Sequence, residues 1–357
     1  MSDAETPRRA SILGLGLIGG SIAAALTQQG WHVSGDDLDA ERVRRAIADG
    51  LVAAAGLDRA SEITFVAVPV QSVESQVERA LSETNGWVTD VGSVKASVTA
   101  RVASPRFVGG HPMAGSELEG LDGADADLFA GAVWVLTPTD ATDDAAFAAV
   151  AEVVNGLGAE VVGLAPERHD ELVAVVSHVP HLTAATLMRM AGLRAEEHAA
   201  LLRLAAGGFR DMTRIASGHP AIWLDICDEN RRAIAVGLDA LIEGLSEMRE
   251  IVSAGRRDDL LERLNSARAA RANLPSRAVR PSEIAEVRIP IPDRPGAAAE
   301  VFTLAADLGV NILSFEVVHN VEGDRGVAVV LVDSSSADIF RGGLLARGFR
   351  PAVQRLA

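Results

Sequence analysis

The sequence predicts a doubly wound α/β sheet, then an all-helical segment, then a small α+β unit, in that order along 357 residues. Three observations predict it. From Arg9 to about Pro166, short β-branched runs (ASILGLG, WHVSGDD, ITFVAVP, WVTDVGS, RFVGG, AVWVLTP, AEVVGLA) alternate with helical periods across short Gly or Pro breaks, as in a parallel sheet with crossover helices. From about Glu167 to Ala278 no strand pattern stands out and long apolar helical periods dominate. Ala285 to Ala357 then read β-α-β-β-α-β, a split βαβ order, behind a polar Arg- and Pro-rich stretch (ARANLPSRAVRPSE) that reads as a linker. The expected division is 9–166, 167–278 and 285–357.

The first strand runs into Gly14-Leu15-Gly16-Leu17-Ile18-Gly19-Gly20-Ser21, which opens a helix. In that setting Gly14 permits the tight turn, Gly16 lets a pyrophosphate approach the backbone, and Gly19 allows close helix packing, with the helix N-terminus facing the phosphates. The second strand ends in Asp36-Asp37, about 20 residues on, where a carboxylate accepts hydrogen bonds from a ribose 2′-hydroxyl. That carboxylate would repel a 2′-phosphate, and no Arg follows Asp37 immediately, so NAD is expected over NADP. A glycine-rich turn without a ligand is the alternative; strand, helix and acid together favour a Rossmann-type NAD-binding domain, with Leu17, Ile18, Val68 and Pro69 as further cofactor contacts.

In the helical segment, periods about 25 to 35 residues long are apolar most of the way round, more than one small subunit's surface can cover, so packing against a second copy is expected. Ser217-Gly218-His219-Pro220 reads as a helix start, with Pro220 in the first turn, and Pro180 is expected to kink the run carrying His178 and His181.

Composition removes several mechanisms. There is no Tyr, which excludes a Tyr/Lys proton relay. A single Cys, Cys227, excludes an intrachain disulfide and a Cys-ligated zinc site, and fits a reducing cytoplasm. Of 33 basic residues one is Lys95, leaving 32 Arg, so lysine chemistry has one place to be; a solvated cation in the first turn of a helix is its other reading. The net charge, 33 − 49 = −16, has the wrong sign for a nucleic-acid partner. The polar N-terminus lacks a signal-peptide run, and the apolar stretch 172–190 carries His178, Pro180, His181 and Arg189, so no membrane span is expected.

An alcohol oxidised by NAD needs a base for its hydroxyl proton, and His is the usual one near neutral pH. His111 follows the strand RFVGG at the carboxyl side of the sheet, where ligands collect; a loop His before Pro112 is the bland reading. His169, His178 and His181 share one helical segment, as core histidines, site residues or a three-His metal site, the last disfavoured for want of a carboxylate partner. Arg210, Asp211 and Arg214 follow Gly207-Gly208; an Arg there either pairs with Asp211 or offers a bidentate fork to a substrate carboxylate.

Five motifs in order (GLGLIGGS, Val91–Lys95 VGSVK, Gly109–Glu117 GGHPMAGSE, His169–His181 HDELVAVVSHVPH, Gly207–Ala216 GGFRDMTRIA) resemble the prephenate dehydrogenase family, whose members act on prephenate or arogenate. The C-terminal unit, with PDRPGAAAEVF from Pro292 to Phe302, resembles an ACT domain, a small-molecule regulatory module. The resemblance implies NAD-dependent oxidative decarboxylation of prephenate to 4-hydroxyphenylpyruvate, with His111 taking the ring-hydroxyl proton, Ser93 beside it, Arg214 on a substrate carboxylate and His181 at the pyruvyl side chain. Ser116, Glu117, His169, Ser177 and Trp223 are implied as further contacts or gating groups, and no metal is implied. It further implies a cytoplasmic homodimer through the helical segment, and feedback, with L-tyrosine as the expected effector at Asp293, Arg294, Pro295, Gly296 and Ala297. Arogenate as substrate, and a non-catalytic amino-acid sensor, are the competing readings; the intact Ser93, His111 and Arg214 argue against the second.

Overall fold

The computed structural model describes residues 7–116, 118, 120–197, 204–218, 220–273, 284–292, 294, 296–319 and 325–355. The chain divides into two compact units, 1–273 and 274–357.

The first unit opens on β1 (Arg9–Leu13), α1 (Leu17–Gln28), β2 (His32–Asp36), α2 (Ala40–Ala48) and the short β3 (Ala54–Ala55). It continues with β4 (Ile63–Val66), α3 (Val70–Glu83), β5 (Trp87–Asp90), α4 (Ala96–Arg101), β6 (Phe107–Pro112), β7 (Val133–Thr137), α5 (Asp144–Gly156) and β8 (Glu160–Gly163). The sheet order is β3-β2-β1-β4-β5-β6-β7-β8. Every residue of β4 and β6 is buried, as in strands covered on both faces, and Ile12, Phe65, Val108 and Trp134 fill the space between sheet and helices.

The expectation of a wholly parallel sheet is corrected at one place: β6 and β7 pair antiparallel, with His111 opposite Val135. A parallel return needs a crossover helix over the face. Between these strands the described residues form only a single 3-10 turn, Gly120–Gly123, so β7 runs back beside β6.

After β8 the chain is helical. α6 (Pro166–Val173) passes through a π-helical segment, Ala174–His178, into α7 (Val179–Glu197). Pro180 cannot donate to the helical ladder, and a π-helical turn, Ala174–His178, stands immediately before it where the ladder is broken. α8 (Gly207–Thr213), a 3-10 turn (Arg214–Ser217), α9 (Pro220–Glu229), α10 (Arg231–Ser253) and α11 (Arg257–Ala272) follow. The long period from Pro220 is therefore two helices, broken at Asn230, whose side chain turns inward. By length and composition the run Pro166–Arg194 is apolar enough to cross a membrane; it carries His169, Asp170 and His178 in buried hydrogen bonds. The helices leave Met190, Leu193, Leu224, Ile242, Leu245 and Leu261 at least half exposed, an apolar surface larger than isolated surface residues explain.

The second unit comprises β9 (Ile284–Pro292), α12 (Ala297–Asp307), β10 (Ile312–His319), β11 (Arg325–Asp333), α13 (Ala337–Ala346) and β12 (Ala352–Arg355). The antiparallel sheet has the order β10-β11-β9-β12. Ala285, Val287, Ile289 and Ile291 alternate along β9 and bury with Val301 and Leu304 of α12 and Phe340 and Leu344 of α13. Most of the expected linker, 274–283, lies outside the described residues.

Candidate active site

The glycine turn after β1 is built for a ligand. Gly14 has φ +89°, and a Cβ there would stand 2.2 Å from the Ala67 carbonyl oxygen; one on Gly19 would stand 1.9 Å from that of Gly14. Neither position admits a side chain. Around Gly16 nothing lies within 4 Å of a notional Cβ, and no side chain caps α1, so its first-turn N–H groups face open space. Leu17 and Ile18, both half-buried, continue that turn, and Val68 and Pro69 follow Ala67 at the same rim. This cradle fits the diphosphate of a dinucleotide.

Asp37 closes the other side. Its carboxylate accepts from Leu15 N–H (2.8 Å) and from the Arg42 guanidinium (3.0 and 3.1 Å). No Arg follows Asp37 directly, but α2 brings Arg42 back onto it one turn later. Asp37→Ser should therefore lower kcat/KM with NAD by about 10- to 100-fold, the worth of a charge-assisted hydrogen bond, and raise it with NADP as Arg42 becomes free for a phosphate. An unchanged NAD-to-NADP ratio in steady-state assays would contradict this.

His111, buried on β6, lies against His169 of α6, its Nδ1 2.8 Å from His169 Nε2. His169 Nδ1 is in turn 2.8 Å from Asp170 Oδ1. Asp170 caps α4, accepting from Lys95 N–H (2.8 Å) and Ala96 N–H (3.0 Å), and its carbonyl accepts from Asn230 Nδ2 (2.8 Å). The network assigns the tautomers. A carboxylate only accepts, so His169 donates from Nδ1; its Nε2 then accepts from His111 Nδ1–H, and the lone pair of His111 is left at Nε2. Burial above all, then His169, Lys95 and His178, hold the His111 pKa well below 6.5, so the ring is neutral at physiological pH and can accept a proton.

His178 Nδ1 receives Asn230 Nδ2 at 3.2 Å. Its pKa falls to about 4, mainly through burial, with Asp170 opposing and His169 and His181 adding to the shift. Because the unfolded ring titrates near 6.5, this contribution to stability is full above that pH and is lost as pH falls towards about 4. The loss is on the order of 3 kcal/mol. Urea unfolding at both pH values should show it, and His178→Gln should flatten the dependence.

His181 stacks on Trp223 of α9, ring centroids 3.5 Å apart and planes 12° apart. Positions equivalent to a Cβ on Gly218 lie 3.7 Å from both His181 Cε1 and Trp223 Nε1, so the turn carrying exposed Arg214 lies over this stack. Ser93 and Ser177 are half-buried, and Ser116 is exposed with its Oγ accepting from Leu118 N–H. Glu117, Asp293 and Pro295 lie outside the described residues; of the C-terminal set, Gly296 has φ +90° at the start of α12, Ala297 is buried and Arg294 pairs with Glu300.

The solvated-cation reading of Lys95 is corrected. It is fully buried, its Nζ paired with buried Asp90, because its loop is folded under the ends of β5 and β6 instead of facing water. Asp90, Asp170, Asn230 and Arg42 were not singled out from sequence. Asp170 stands beside His169 in HDE and Asp90 ends the strand WVTD, which are the signals that could have found two of them.

A glycine cradle closed by an acid, with a buried neutral His at the carboxyl end of the sheet and a helical domain against it, defines an NAD-dependent dehydrogenase. Residues 22–163 match the nucleotide-binding domain of prephenate dehydrogenase, and 165–266 its dimerization domain. The prephenate dehydrogenase of Bacillus subtilis (strain 168) is 33% identical over 88% of this chain and 90% of its own. Among solved structures, prephenate dehydrogenase from A. aeolicus in complex with hydroxyphenyl propionate and NAD+ matches with TM-score 0.71 and 28% identity, over 76% of this chain and all of that one (100%). Synechocystis arogenate dehydrogenase matches with TM-score 0.66 and 29% identity, over 75% of this chain and 100% of that one. The chain belongs to the prephenate dehydrogenase family, and its cofactor is NAD.

Proposed function

We propose that this enzyme oxidises and decarboxylates prephenate to 4-hydroxyphenylpyruvate. The observation that carries the reading is the chain Asp170–His169–His111, which leaves an unprotonated Nε2 on a buried imidazole at the carboxyl end of the sheet. When bound along Gly14–Gly19, Asp37, Val68 and Pro69, NAD supplies the hydride acceptor. His111 Nε2 takes the proton of the ring hydroxyl as C4 loses hydride; the ring carboxylate leaves as carbon dioxide, its bonding pair aromatises the ring, and the proton returns to the phenolate oxygen. No net proton is released. Aromatisation supplies the driving force, so the protein's share is positioning and charge stabilisation.

Ser93 hydrogen-bonds near the hydroxyl, Arg214 holds a substrate carboxylate and His181, stacked on Trp223, meets the side chain; Ser116, Glu117, His169 and Ser177 complete the surroundings. His181 supports prephenate, whose side chain ends in a keto acid, over arogenate. Steady-state rates on both substrates test this: prephenate should be preferred, and a large arogenate preference would overturn the role given to His181. In this reading the chain comprises an NAD domain (9–166), a helical domain (167–278) that pairs two copies through its exposed apolar surface, and an ACT unit (285–357) that makes the enzyme, working in the cytoplasm, sensitive to L-tyrosine near Arg294–Ala297. Support for the last is the β-α-β-β-α-β order and its antiparallel sheet. Inhibition by added tyrosine that disappears on removal of 285–357 would bear it out; unchanged inhibition in the truncated enzyme would overturn it.

A further inference from the structure

Beneath the site lies the chain's single lysine. Lys95 and Asp90 are both 0% exposed, Nζ against Oδ2. Taking two charges wholly out of water is costly, so such a pair is weak evidence for stability and invites another reason for its presence.

Its contacts supply one. Asp90 Oδ2 also accepts from Gly92 N–H (2.9 Å), and Oδ1 accepts from Gly110 N–H (3.2 Å). Gly92 directly precedes Ser93, and Gly110 directly precedes His111. The β5–β6 ladder ends at Thr89 and Val108, after which β6 pairs with β7, so this carboxylate joins the two segments where ladder bonds stop. The packing leaves no slack: a Cβ on Gly92 would lie 3.0 Å from Asp90 Oδ2 and 3.5 Å from Lys95 Nζ, and one on Gly110 2.6 Å from the Asp90 carbonyl oxygen. The Lys95 backbone N–H in turn donates to Asp170, tying the pair to the histidine chain.

We infer that Asp90 and Lys95 are positioning residues of this active site: the carboxylate suspends Ser93 and His111 from one point, and the ammonium is a fixed positive charge beside the base. The inference rests on the reading of His111 as that base. The titratable groups that act on His111 are His169 from α6, whose other nitrogen meets Asp170, His178 from the π-helical segment and Lys95 from the loop before α4, which pairs with Asp90. Lys95 is among the groups that depress the His111 pKa. Removing the ammonium leaves anionic Asp90 unbalanced, and both changes favour a protonated His111.

Lys95→Met keeps most of the length and removes the charge. Its kcat should fall about tenfold or more, with NAD affinity unchanged, as the Asp90 carboxylate that anchors Ser93 and His111 loses the ion-pair partner that holds it in place. The acid limb of kcat/KM should move up by about one pH unit. A folded, NAD-binding Lys95→Met enzyme with the parent's kcat or the parent's acid limb would overturn the inference. If this variant does not fold, the wild-type enzyme carries the test, because isotope-labelled lysine gives one NMR signal. That signal should show an inflection at the pH where His111 protonates, and the inflection should vanish in His111→Asn; no inflection, or one that survives the substitution, would overturn the inference. These outcomes separate from the base assignment, which fails if His111→Asn stays active, whatever the lysine signal does.

Discussion

His111→Asn is expected to lose about 10² to 10⁴ in kcat, the range that general base catalysis supplies, while binding NAD and prephenate nearly as the parent does. The basis is local. Asn is smaller than His, presents no basic nitrogen, and can still accept or donate one hydrogen bond towards His169. The cofactor cradle, Gly14–Gly19 with Asp37, belongs to other loops and does not depend on the ring at 111. Stopped-flow and steady-state rates, with NAD binding by calorimetry, separate the two effects. A variant within about tenfold of the parent would remove His111 from the role of base.

Asp170→Asn should be nearly as damaging, on the order of 10³ in kcat, although residue 170 is two hydrogen bonds away from Nε2 of His111. The carboxylate uses Oδ1 for His169 and Lys95 N–H and Oδ2 for Ala96 N–H, and an amide has one oxygen for these two places. If the amide NH₂ faces His169, that ring must carry its proton on Nε2, and His111 then accepts at Nδ1 and holds its own proton at Nε2, where the base should be empty. If the NH₂ faces Ala96, the cap of α4 is broken and the negative charge that stabilises a protonated His111 is gone. Either arrangement lowers kcat more than it raises KM. Equal losses in kcat and in folding stability, restored by stabilising solutes, would show a scaffold role only.

How far the sequence could be read depended on the range of the interactions involved. The NAD turn was legible because a strand, three glycines and an acid at fixed spacing are all local, and each glycine is required by a contact close in the chain, such as Gly19 against Gly14. His111 is legible as a candidate from its place after RFVGG, although β6 continues through it to Pro112 and buries it. The antiparallel β7 was not, since two apolar strands read alike in either direction and only the absence of a crossover helix decides. The places of Lys95 and Asp170 are not legible in the sequence for a similar reason. Their partners are 5 and 75 residues away, and whether a charge is solvated or buried under a sheet edge depends on folds that periodicity does not encode. Asn230 is the same case: it reads as one polar residue in a long helical period, whereas it ends one helix and ties Asp170 to His178. The excess apolar surface of the helices was visible in advance because hydrophobic periodicity records what must be covered, though not by what.

The proposed coupling of hydride removal from prephenate to loss of its ring carboxylate is tested most directly by incubating the purified enzyme with prephenate and NAD and measuring NADH and carbon dioxide together. Equimolar NADH and carbon dioxide, with 4-hydroxyphenylpyruvate as the organic product, is the result expected; no NADH, or NADH without carbon dioxide, would contradict the account.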